Sequence, residues 1–541
     1  MKKRFILTAL TAALLVSAAG CGEKKDKTNA DNGDGYSYTM TMYQTRNSNP
    51  DSIMRKKIED KYNIKINVID IEWQKYDEIL NLKLSGGEIP DIMYVKTPTA
   101  ASKYVQQDVV GSIPMELLEE KAPNLLKRVK DSSGDIMKYY YVDGELYCIP
   151  SFSVGAGPSS IPVVWRGDWL EKVGITKTPE TLDEFEEAFY KFANEDPDGN
   201  GIKDTYGLSA SGLTTIFSSY GYVPALGSTS KESTWQERDG KLVFSAIQPE
   251  MKDALARIAK WYKDGVLDPE FITGENKGGY WAISHQFVNG IIGYTSHGMS
   301  YHWEPKHYVD SDPSTSGQDA YELSKINKEA ADSLIVSAKV PQLVPGVDKT
   351  YGKKPLLKNE RWMYSKELVE NEEKFNYLLG VYNDIYASKE NFTYVKSGEQ
   401  GVVWDYEDAA AVNGNTYKRT VYLGDWKDDK YRNDHMFDFA PFNPTFIEEE
   451  VVKTPRDDWA APRGFGAEEY VPFTELMAPL PSSSMYSAEL TKIEEEAYTD
   501  IITGEKPIEY FDEFVAKWRA AGGEVLEKEA QSWFEEINSN K

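Results

Sequence analysis

Residues 196–207 (DPDGNGIKDTYG) carry side chains suited to binding a divalent cation. Oxygen-bearing side chains occur at alternating positions and then once more, at Asp196, Asp198, Asn200 and Asp204. A twelve-residue calcium loop takes ligands from positions 1, 3, 5, 7 and 9 and a bidentate glutamate at position 12, with a glycine at position 6 for a sharp turn. Position 6 is Gly201, but position 12 is Gly207. The spacing predicts a calcium loop without its final clamp; the alternative is a polar turn whose side chains bond their own backbone.

The N-terminus has the pattern of a secretion signal. Basic residues 2–4 precede an apolar stretch, residues 5–16, that is shorter than the about 20 apolar residues needed to span a bilayer. Small residues then run directly into Cys21, which resembles the lipobox of bacterial lipoproteins, whose cysteine is lipid-modified and becomes the new N-terminus. We therefore expect a signal peptide over residues 1–20 and a lipid such as palmitate on Cys21. The alternative is an ordinary secretory signal with an incidental cysteine.

The segment after this cysteine is too polar to fold. Residues 22–35 (GEKKDKTNADNGDG) contain no apolar side chain larger than that of alanine, which is typical of a flexible tether. A lipid anchor followed by a tether predicts a protein on the extracellular face of a cell membrane, in a Gram-positive bacterium. With Cys21 lipidated, only Cys148 remains, so an intramolecular disulfide is excluded and the core must hold the fold.

Length and charge narrow the class of protein further. A chain of 541 residues exceeds one compact core, so two lobes are expected. Its 61 basic against 87 acidic residues give a net charge of −26, without a basic stripe to offset it, which excludes nucleic-acid binding. The 13 tryptophans and 35 tyrosines are a heavy aromatic content for a soluble protein.

The first hundred residues alternate between strand and helix patterns. Residues 36–45 and 64–71 alternate apolar and polar side chains, and residues 91–95 form a short apolar run. Apolar residues at helical spacing lie between them, around Ile58 and Leu80. This order predicts the start of a parallel α/β sheet. Near the other end, residues 487–539 predict three amphipathic helices separated by glycine or proline.

Four segments in this order resemble extracellular solute-binding proteins of ABC importers, in the lipoprotein-type group that binds oligosaccharides such as alginate and aldouronate fragments. The segments are LNLKLSGGEIPDIMYV (80–95), DGELYCIPSF (143–152), VVWRGDWLEKVGITKTPETLDEFEEA (163–188) and ITGEKPIEYFDEFVAKWRAAGGEVLEKEAQSWF (502–534). The resemblance implies a type II periplasmic-binding-protein fold, with two discontinuous α/β lobes, a hinge and an interlobe cleft. The expected lobes are residues 36–160 with about 285–350, and residues 161–284 with about 351–541.

The resemblance also implies a function. The expected function is capture of an extracellular oligosaccharide by a monomeric binding protein, which delivers it to the permease subunits of an importer. In some of these relatives a structural calcium ion occupies a loop of the kind described above. The implied ligands are the side chains of Asp196, Asp198, Asn200 and Asp204 and the backbone carbonyl of Ile202.

Aromatic and basic side chains are the candidates for sugar contact, because sugar rings pack on aromatic faces and hydroxyls accept from arginine. For each aromatic ring the alternative is packing in the core, and for each arginine it is an ion pair. The expected ligand-binding residues are Tyr43, Arg46, Trp73, Trp165, Trp281, Tyr301, Trp303, Trp404, Trp459 and Arg463, with Arg166 as a further candidate.

Other chemistry has weak support. His297, His302 and His307 are five residues apart, unlike the four-residue spacing of helical zinc ligands, and a proline interrupts them. No catalytic motif is present, so we expect a binding protein and not an enzyme. A pair of carboxylates would suffice for a glycosidase, so a secreted polysaccharide-degrading enzyme stays open, as do a binder of peptides or other polar solutes and a structural surface lipoprotein.

Overall fold

A computed structural model defines the fold. It describes residues 35–43, 49–133, 136–151, 163–227, 235–273, 285–296, 335–338, 341–343, 361–412, 415–444, 475–476 and 480–539.

Within these residues the strands are β1 (Tyr36–Tyr43), β2 (Ile64–Ile71), β3 (Ile92–Val95), β4 (Tyr141–Val142), β5 (Glu145–Leu146), β6 (Cys148–Pro150), β7 (Val163–Arg166), β8 (Trp235–Arg238), β9 (Lys241–Phe244), β10 (Tyr294–Thr295), β11 (Ile335–Ala338), β12 (Arg361–Tyr364), β13 (Trp404–Val412), β14 (Asn415–Tyr422) and β15 (Glu475–Leu476). The helices are α1 (Ile53–Tyr62), α2 (Tyr76–Ser85), α3 (Pro98–Gln106), α4 (Met115–Lys121), α5 (Pro123–Ser133), α6 (Gly167–Lys172), α7 (Leu182–Asn194), α8 (Ala210–Ser219), α9 (Pro249–Lys263), α10 (His285–Val288), α11 (Lys366–Glu370), α12 (Glu372–Ile385), α13 (Lys389–Ser397), α14 (Asp429–His435), α15 (Ser483–Thr503), α16 (Tyr510–Trp518) and α17 (Glu524–Ser539).

The first lobe is built on a five-stranded sheet in the order β2-β1-β3-β12-β6. Strands β1, β2 and β3 are parallel, as the alternating strand and helix patterns predict. β12 is antiparallel to both β3 and β6, so β6 runs in the same direction as β3. The core of this lobe takes its side chains from residues 38–149 and 362–442. The predicted α/β start of the chain is confirmed.

The second lobe has its own core, formed by residues 163–294 and 480–537. Its three-stranded sheet has the order β10-β7-β11, with β7 antiparallel to both neighbours. Helix α7 begins at a capping box between Thr181 and Glu184 and buries an apolar stripe that includes Phe185 and Phe189. The three C-terminal helices predicted from the sequence also form and contribute to this core.

The segments from the middle of the chain that belong to each lobe differ from those that the sequence predicts. Strands β10 and β11, expected in the first lobe, pair with β7 of the second. Strand β12 and the residues after it to 442, expected in the second lobe, belong to the first core. The predicted boundaries in the middle of the chain are therefore wrong, because strand pairing between distant segments leaves no local pattern. The prediction of two discontinuous lobes is correct.

Asp91, in the glycine-rich segment shared with the resembled family, joins three elements of the first lobe. Its Oδ2 accepts from the backbone N and the hydroxyl of Thr39 on β1, at 2.7 and 3.0 Å. Its Oδ1 pairs with Lys374 on α12 at 3.0 Å, and both side chains are 19% exposed. The carboxylate therefore holds β1, the start of β3 and α12 together.

Replacing Asp91 with asparagine is expected to lower the free energy of unfolding by about 2 kcal/mol, because the largely buried ion pair with Lys374 is lost and the hydrogen bonds from Thr39 no longer have a charged acceptor. Urea unfolding followed by circular dichroism measures the change. The matched control is Asp108→Asn, which breaks an exposed pair with Lys366 and is expected to cost much less, because water screens exposed ion pairs. Equal losses in the two variants would contradict the structural role of Asp91.

Candidate functional site

The candidate site lies at one edge of the first sheet. Strands β1, β2, β3 and β6 run in one direction, so their carboxyl ends meet at this edge. In open α/β sheets, ligands bind in the crevice outside the carboxyl ends of the strands. Because the chain passes to the second lobe after β6, this edge lies beside the passage between the lobes.

Three aromatic side chains form a row at this edge. Trp73 follows β2, and its ring centroid is 6.2 Å from that of Tyr94 on β3. Tyr94 is 5.3 Å from Trp362 on β12, whose indole donates to the carbonyl of Pro441 at 3.1 Å. Tyr94 and Trp362 are buried, whereas Trp73 is half-buried. Trp73 therefore gives the row its exposed surface.

Lys96, the first residue after β3, covers part of Trp73. Its Nζ lies 4.2 Å from the ring centroid of Trp73 and donates to the backbone carbonyl of the same residue at 2.7 Å. The same atom is 3.3 Å from the carboxylate of Asp77. Trp73, Tyr94, Lys96 and Trp362 are together called the first-lobe edge below.

A cluster of hydroxyls lies at the end of the second-lobe sheet where β7 begins. The chain enters this lobe at the start of β7, and β10 is antiparallel to β7, so β10 ends on the same side. There the hydroxyl of Thr295 donates to that of Ser211 at 2.8 Å, and the backbone N of Ser296 donates to the carbonyl of Ser211 at 3.1 Å. Ser211 lies in the first turn of α8. Ser211, Thr295 and Ser296 form the second-lobe edge.

The structure brings two predicted ligand residues to the first-lobe edge. Trp73 belongs to it, and Tyr43 is the last residue of β1, where its backbone is in register with Ile71 at the end of β2. Contact with a ligand stays a prediction for both. Six further candidates lie outside the described residues, namely Arg46, Trp281, Tyr301, Trp303, Trp459 and Arg463, as does the lipidation site Cys21.

Two of the aromatic residues predicted to bind ligand lie in the core instead. Trp165 is fully buried, with its ring centroid 4.6 Å from Phe185 and 4.7 Å from Tyr294. Trp404 is 4% exposed, and its indole donates to the carbonyl of Gly398 at 2.9 Å. Both rings belong to the hydrophobic cores of their lobes, which is the alternative weighed for each aromatic candidate.

Arg166 also forms an ion pair within the second lobe. It ends β7 on the side away from the passage between the lobes, and it makes two bonds to the carboxylate of Asp168, at 2.7 and 2.8 Å. The alternative weighed for this arginine, an ion pair, is the one observed.

Several edge residues were not identified from the sequence. Lys96 carries a signal, because it directly follows a short apolar strand and side chains at that position reach the sheet edge. Trp362 carries none, since its strand is antiparallel and joins the sheet from far along the chain. The serine and threonine residues of the second-lobe edge also lack a distinguishing sequence signal, because serine and threonine are common in turns.

The loop predicted to bind calcium has its acidic side chains on one side of a tight turn. Asp196 and the two loop glycines have positive φ, with values of 48°, 76° and 77°. The carboxylate of Asp196 accepts from the backbone N of Gly201 at 3.0 Å. The amide nitrogen of Asn200 donates to Asp198 at 2.7 Å and to Asp204 at 3.2 Å. This amide nitrogen, with its partial positive charge, therefore stands between two carboxylates where a cation would lie.

Packing explains the missing clamp at position 12. A Cβ on Gly207 would lie 2.5 Å from the Cβ of Phe189 on α7, so no side chain fits there. The neighbouring Thr205 is buried, and its hydroxyl donates to the carbonyl of Phe192 at 2.8 Å. Both residues serve the packing of the loop on α7, so the predicted calcium ligands are confined to positions 1 to 9.

The carboxylates of the loop repel one another, and this repulsion affects the pKa of Asp198. Partial desolvation and then the neighbouring carboxylates of Asp196 and Asp204 raise the pKa of Asp198. A divalent cation would relieve this repulsion, so the side chains fit such an ion chemically. In the part of the chain that the structure describes, no three His, Cys, Asp or Glu side chains already converge as a metal-binding group.

The comparisons with known proteins agree with this architecture. The sequence model of the bacterial extracellular solute-binding protein family matches residues 54–306. The lipoprotein LipO and the polygalacturonan/rhamnogalacturonan-binding protein YtcQ, both of Bacillus subtilis, are 23% and 24% identical to the chain, and each alignment covers 99% of both chains.

Solved structures share the fold. Streptococcus pneumoniae FusA, an ABC-transporter substrate-binding protein in complex with kestose, superposes with a TM-score of 0.61 at 16% identity, over 93% of this chain and 100% of FusA. An EF-hand mutant of FusA superposes equally well.

The fold is therefore the two-lobe fold of periplasmic-binding proteins, as the sequence predicts. The resemblance read from the sequence is confirmed: residues 54–306 match the family model of bacterial extracellular solute-binding proteins, and LipO and YtcQ align with the chain along nearly its whole length. Among the described residues, no helix combines the length and the apolar character needed to cross a membrane.

Proposed function

We propose that the chain captures an extracellular oligosaccharide between its lobes and delivers it to the permease subunits of an ABC importer. The observation that carries this proposal is a pair of edges, one aromatic at the end of the first lobe where β6 ends and one rich in hydroxyls at the end of the second lobe where β7 begins. Sugar rings stack on aromatic faces, while their hydroxyls exchange hydrogen bonds with short polar side chains. The names of YtcQ and FusA, both sugar binders, support the same class of ligand.

Binding is proposed to close the lobes over the sugar. Closure excludes water from the edges, which strengthens their polar contacts, and produces a shape that the importer distinguishes from the empty protein. Trp73 and Tyr43 are the described candidates for sugar contact. Arg46, Trp281, Tyr301, Trp303, Trp459 and Arg463 remain proposed partners from the rest of the chain.

The proposed role is binding without catalysis, by a monomer. YtcQ and FusA are named for what they bind, which supports a binding protein over a polysaccharide-degrading enzyme. A thermal-shift screen of the chain from Gly22 onward, against neutral and acidic oligosaccharides of several lengths, tests this. A ligand that binds the folded state raises the melting temperature by mass action. We expect a length-dependent shift with the sugar recovered intact; sugar cleavage would favour the enzyme, and shifts with peptides alone would favour a peptide binder.

The proposed location is the extracellular face of a Gram-positive cell membrane. Cleavage of the signal over residues 1–20 and attachment of palmitate or a similar lipid to Cys21 would anchor the chain through its polar tether. The name of the relative LipO, a lipoprotein, supports this anchor. Mass spectrometry of the membrane fraction, with Cys21→Ala as control, measures the lipid.

We further propose that the loop of residues 196–204 holds a structural calcium ion, which the solved EF-hand mutant of FusA supports for this class of protein. Asp196, Asp198, Asn200 and Asp204 would supply side-chain oxygens, and Ile202 a carbonyl. Calcium would supply positive charge at the centre of the carboxylates. The chain's own residues hold the loop against α7, through Thr205 and the close approach of Gly207.

Calcium is expected to raise the melting temperature, and EDTA to lower it, because a ligand at 100 times its Kd stabilises a protein by about 2.7 kcal/mol. Asp198→Asn is expected to abolish the calcium-dependent shift, whereas Asp183→Asn, an exposed aspartate on α7, is expected to preserve it. Since the pKa of Asp198 is raised, protons displace calcium at a higher pH than for an ordinary aspartate, so the shift should shrink as the pH falls. An EDTA-insensitive melting temperature without copurifying calcium would refute the site.

A further inference from the structure

Lys96 occupies a position between two aromatic rings and a carboxylate at the first-lobe edge. Its Nζ is 4.2 Å from the ring centroid of Trp73 and 5.3 Å from that of Tyr76. It donates to the carbonyl of Trp73 at 2.7 Å and lies 3.3 Å from Asp77. The side chain is only 15% exposed. Trp73, which begins a 3₁₀ turn after β2, is thus held from its backbone and from its ring by one side chain.

Among the described residues, Lys61 also lies near two aromatic rings and a carboxylate, but far from the edge. Nζ of Lys61 lies 5.0 Å from the ring centroid of Tyr62 and 5.1 Å from that of Tyr394, and 3.5 Å from the carboxylate of Asp384. Lys61 is in the last turn of α1, and α1 starts at the carboxyl end of β1, so Lys61 lies at the opposite end of the sheet. Both ammonium groups lie near two rings and a carboxylate, but only Lys96 donates to the carbonyl of an aromatic residue and lies at the candidate site.

We propose that Lys96 is a positioning residue for sugar binding. Lys96 covers part of the indole of Trp73 and donates to the backbone carbonyl of the same residue. It thereby fixes the orientation in which the exposed part of the indole meets a sugar ring. The ammonium already has the Trp73 carbonyl and Asp77 as partners, so its role is to hold the platform and not to bind a sugar carboxylate. The inference rests on the proposed function and adds a determinant of affinity that acts equally on neutral and acidic sugars.

Isothermal titration calorimetry of the chain from Gly22 onward tests the proposal, with the sugars that shift its melting temperature. Lys96→Met is expected to weaken binding about tenfold, because the cation over the ring and the carbonyl contact are both lost. Lys96→Arg is expected to recover most of the affinity, since arginine keeps the charge over the ring. Lys61→Met, the matched control, is expected to bind as the wild type does.

The outcomes separate the two proposals. Wild-type affinity in a folded Lys96→Met variant overturns the positioning role alone. Loss of binding for acidic sugars only would overturn it too, because Lys96 would then be a direct ligand contact. A wild-type chain that binds no sugar overturns both proposals. Should Lys96→Met fail to fold, Lys96→Gln and Lys96→Arg provide the comparison: equal affinities in these two would overturn the role of the charge, and a loss confined to Lys96→Gln would support it.

Discussion

Replacing Trp165 with alanine is expected to lower the free energy of unfolding of the second lobe by about 3–5 kcal/mol. The side chain is fully buried among Phe185, Phe189 and Tyr294, so its removal leaves a large cavity that rigid neighbours fill only in part. Urea unfolding followed by circular dichroism measures the loss. It is the largest stability effect of a single substitution considered for this chain.

The control is Trp165→Phe, which keeps an aromatic ring at the same place and is expected to cost clearly less than alanine. The sequence pattern gave Trp165 a role in binding, and the variant decides between the two interpretations. If Trp165→Ala has near wild-type stability but does not bind sugar, Trp165 is a ligand-binding residue. That result would contradict its assignment to the core.

Replacing Trp73 with alanine is expected to weaken sugar binding about thirtyfold, the effect of losing an aromatic anchor worth about 2 kcal/mol. Because Trp73 is only half-buried, its loss is expected to cost less stability than that of Trp165. Calorimetric titration of the variant with the sugar found for the wild type measures the change.

The matched control for Trp73 is Tyr377→Ala. Tyr377 is 39% exposed and contacts Tyr36 at the start of β1, so it is an exposed aromatic residue at the other end of the sheet. Equal losses of affinity in both variants would indicate a general effect on the fold and would argue against Trp73 as a platform.

The sequence predicted those parts of the fold that depend on neighbouring residues. The alternation in residues 64–71 and the capping box at Thr181 are local signals, and the corresponding strand β2 and helix α7 form as predicted. The sequence also shows a glycine, Gly207, where a calcium loop would carry its clamp. The structure adds the physical reason, which is the close approach of the Cβ and Cα of Phe189 to this glycine.

The other features depend on contacts between distant segments. Trp165 is in the core because Tyr294 and Phe185 meet it there, and a periodic pattern around Trp165 alone does not distinguish a buried ring from a platform. β12 joins the first sheet between β3 and β6 although the chain has visited the second lobe before it. The contact of Lys96 with Trp73 joins the ends of two different strands, so it is visible only in the folded structure.

The central claim is that the two lobes close around a sugar. Small-angle X-ray scattering of the calcium-loaded chain from Gly22 onward, with and without an oligosaccharide that raises its melting temperature, tests this most directly. The account predicts a smaller radius of gyration with the sugar present, and no change when the same sugar is added to Trp73→Ala at a concentration that saturates only the wild type. An unchanged radius of gyration in the saturated wild type would contradict capture between the lobes.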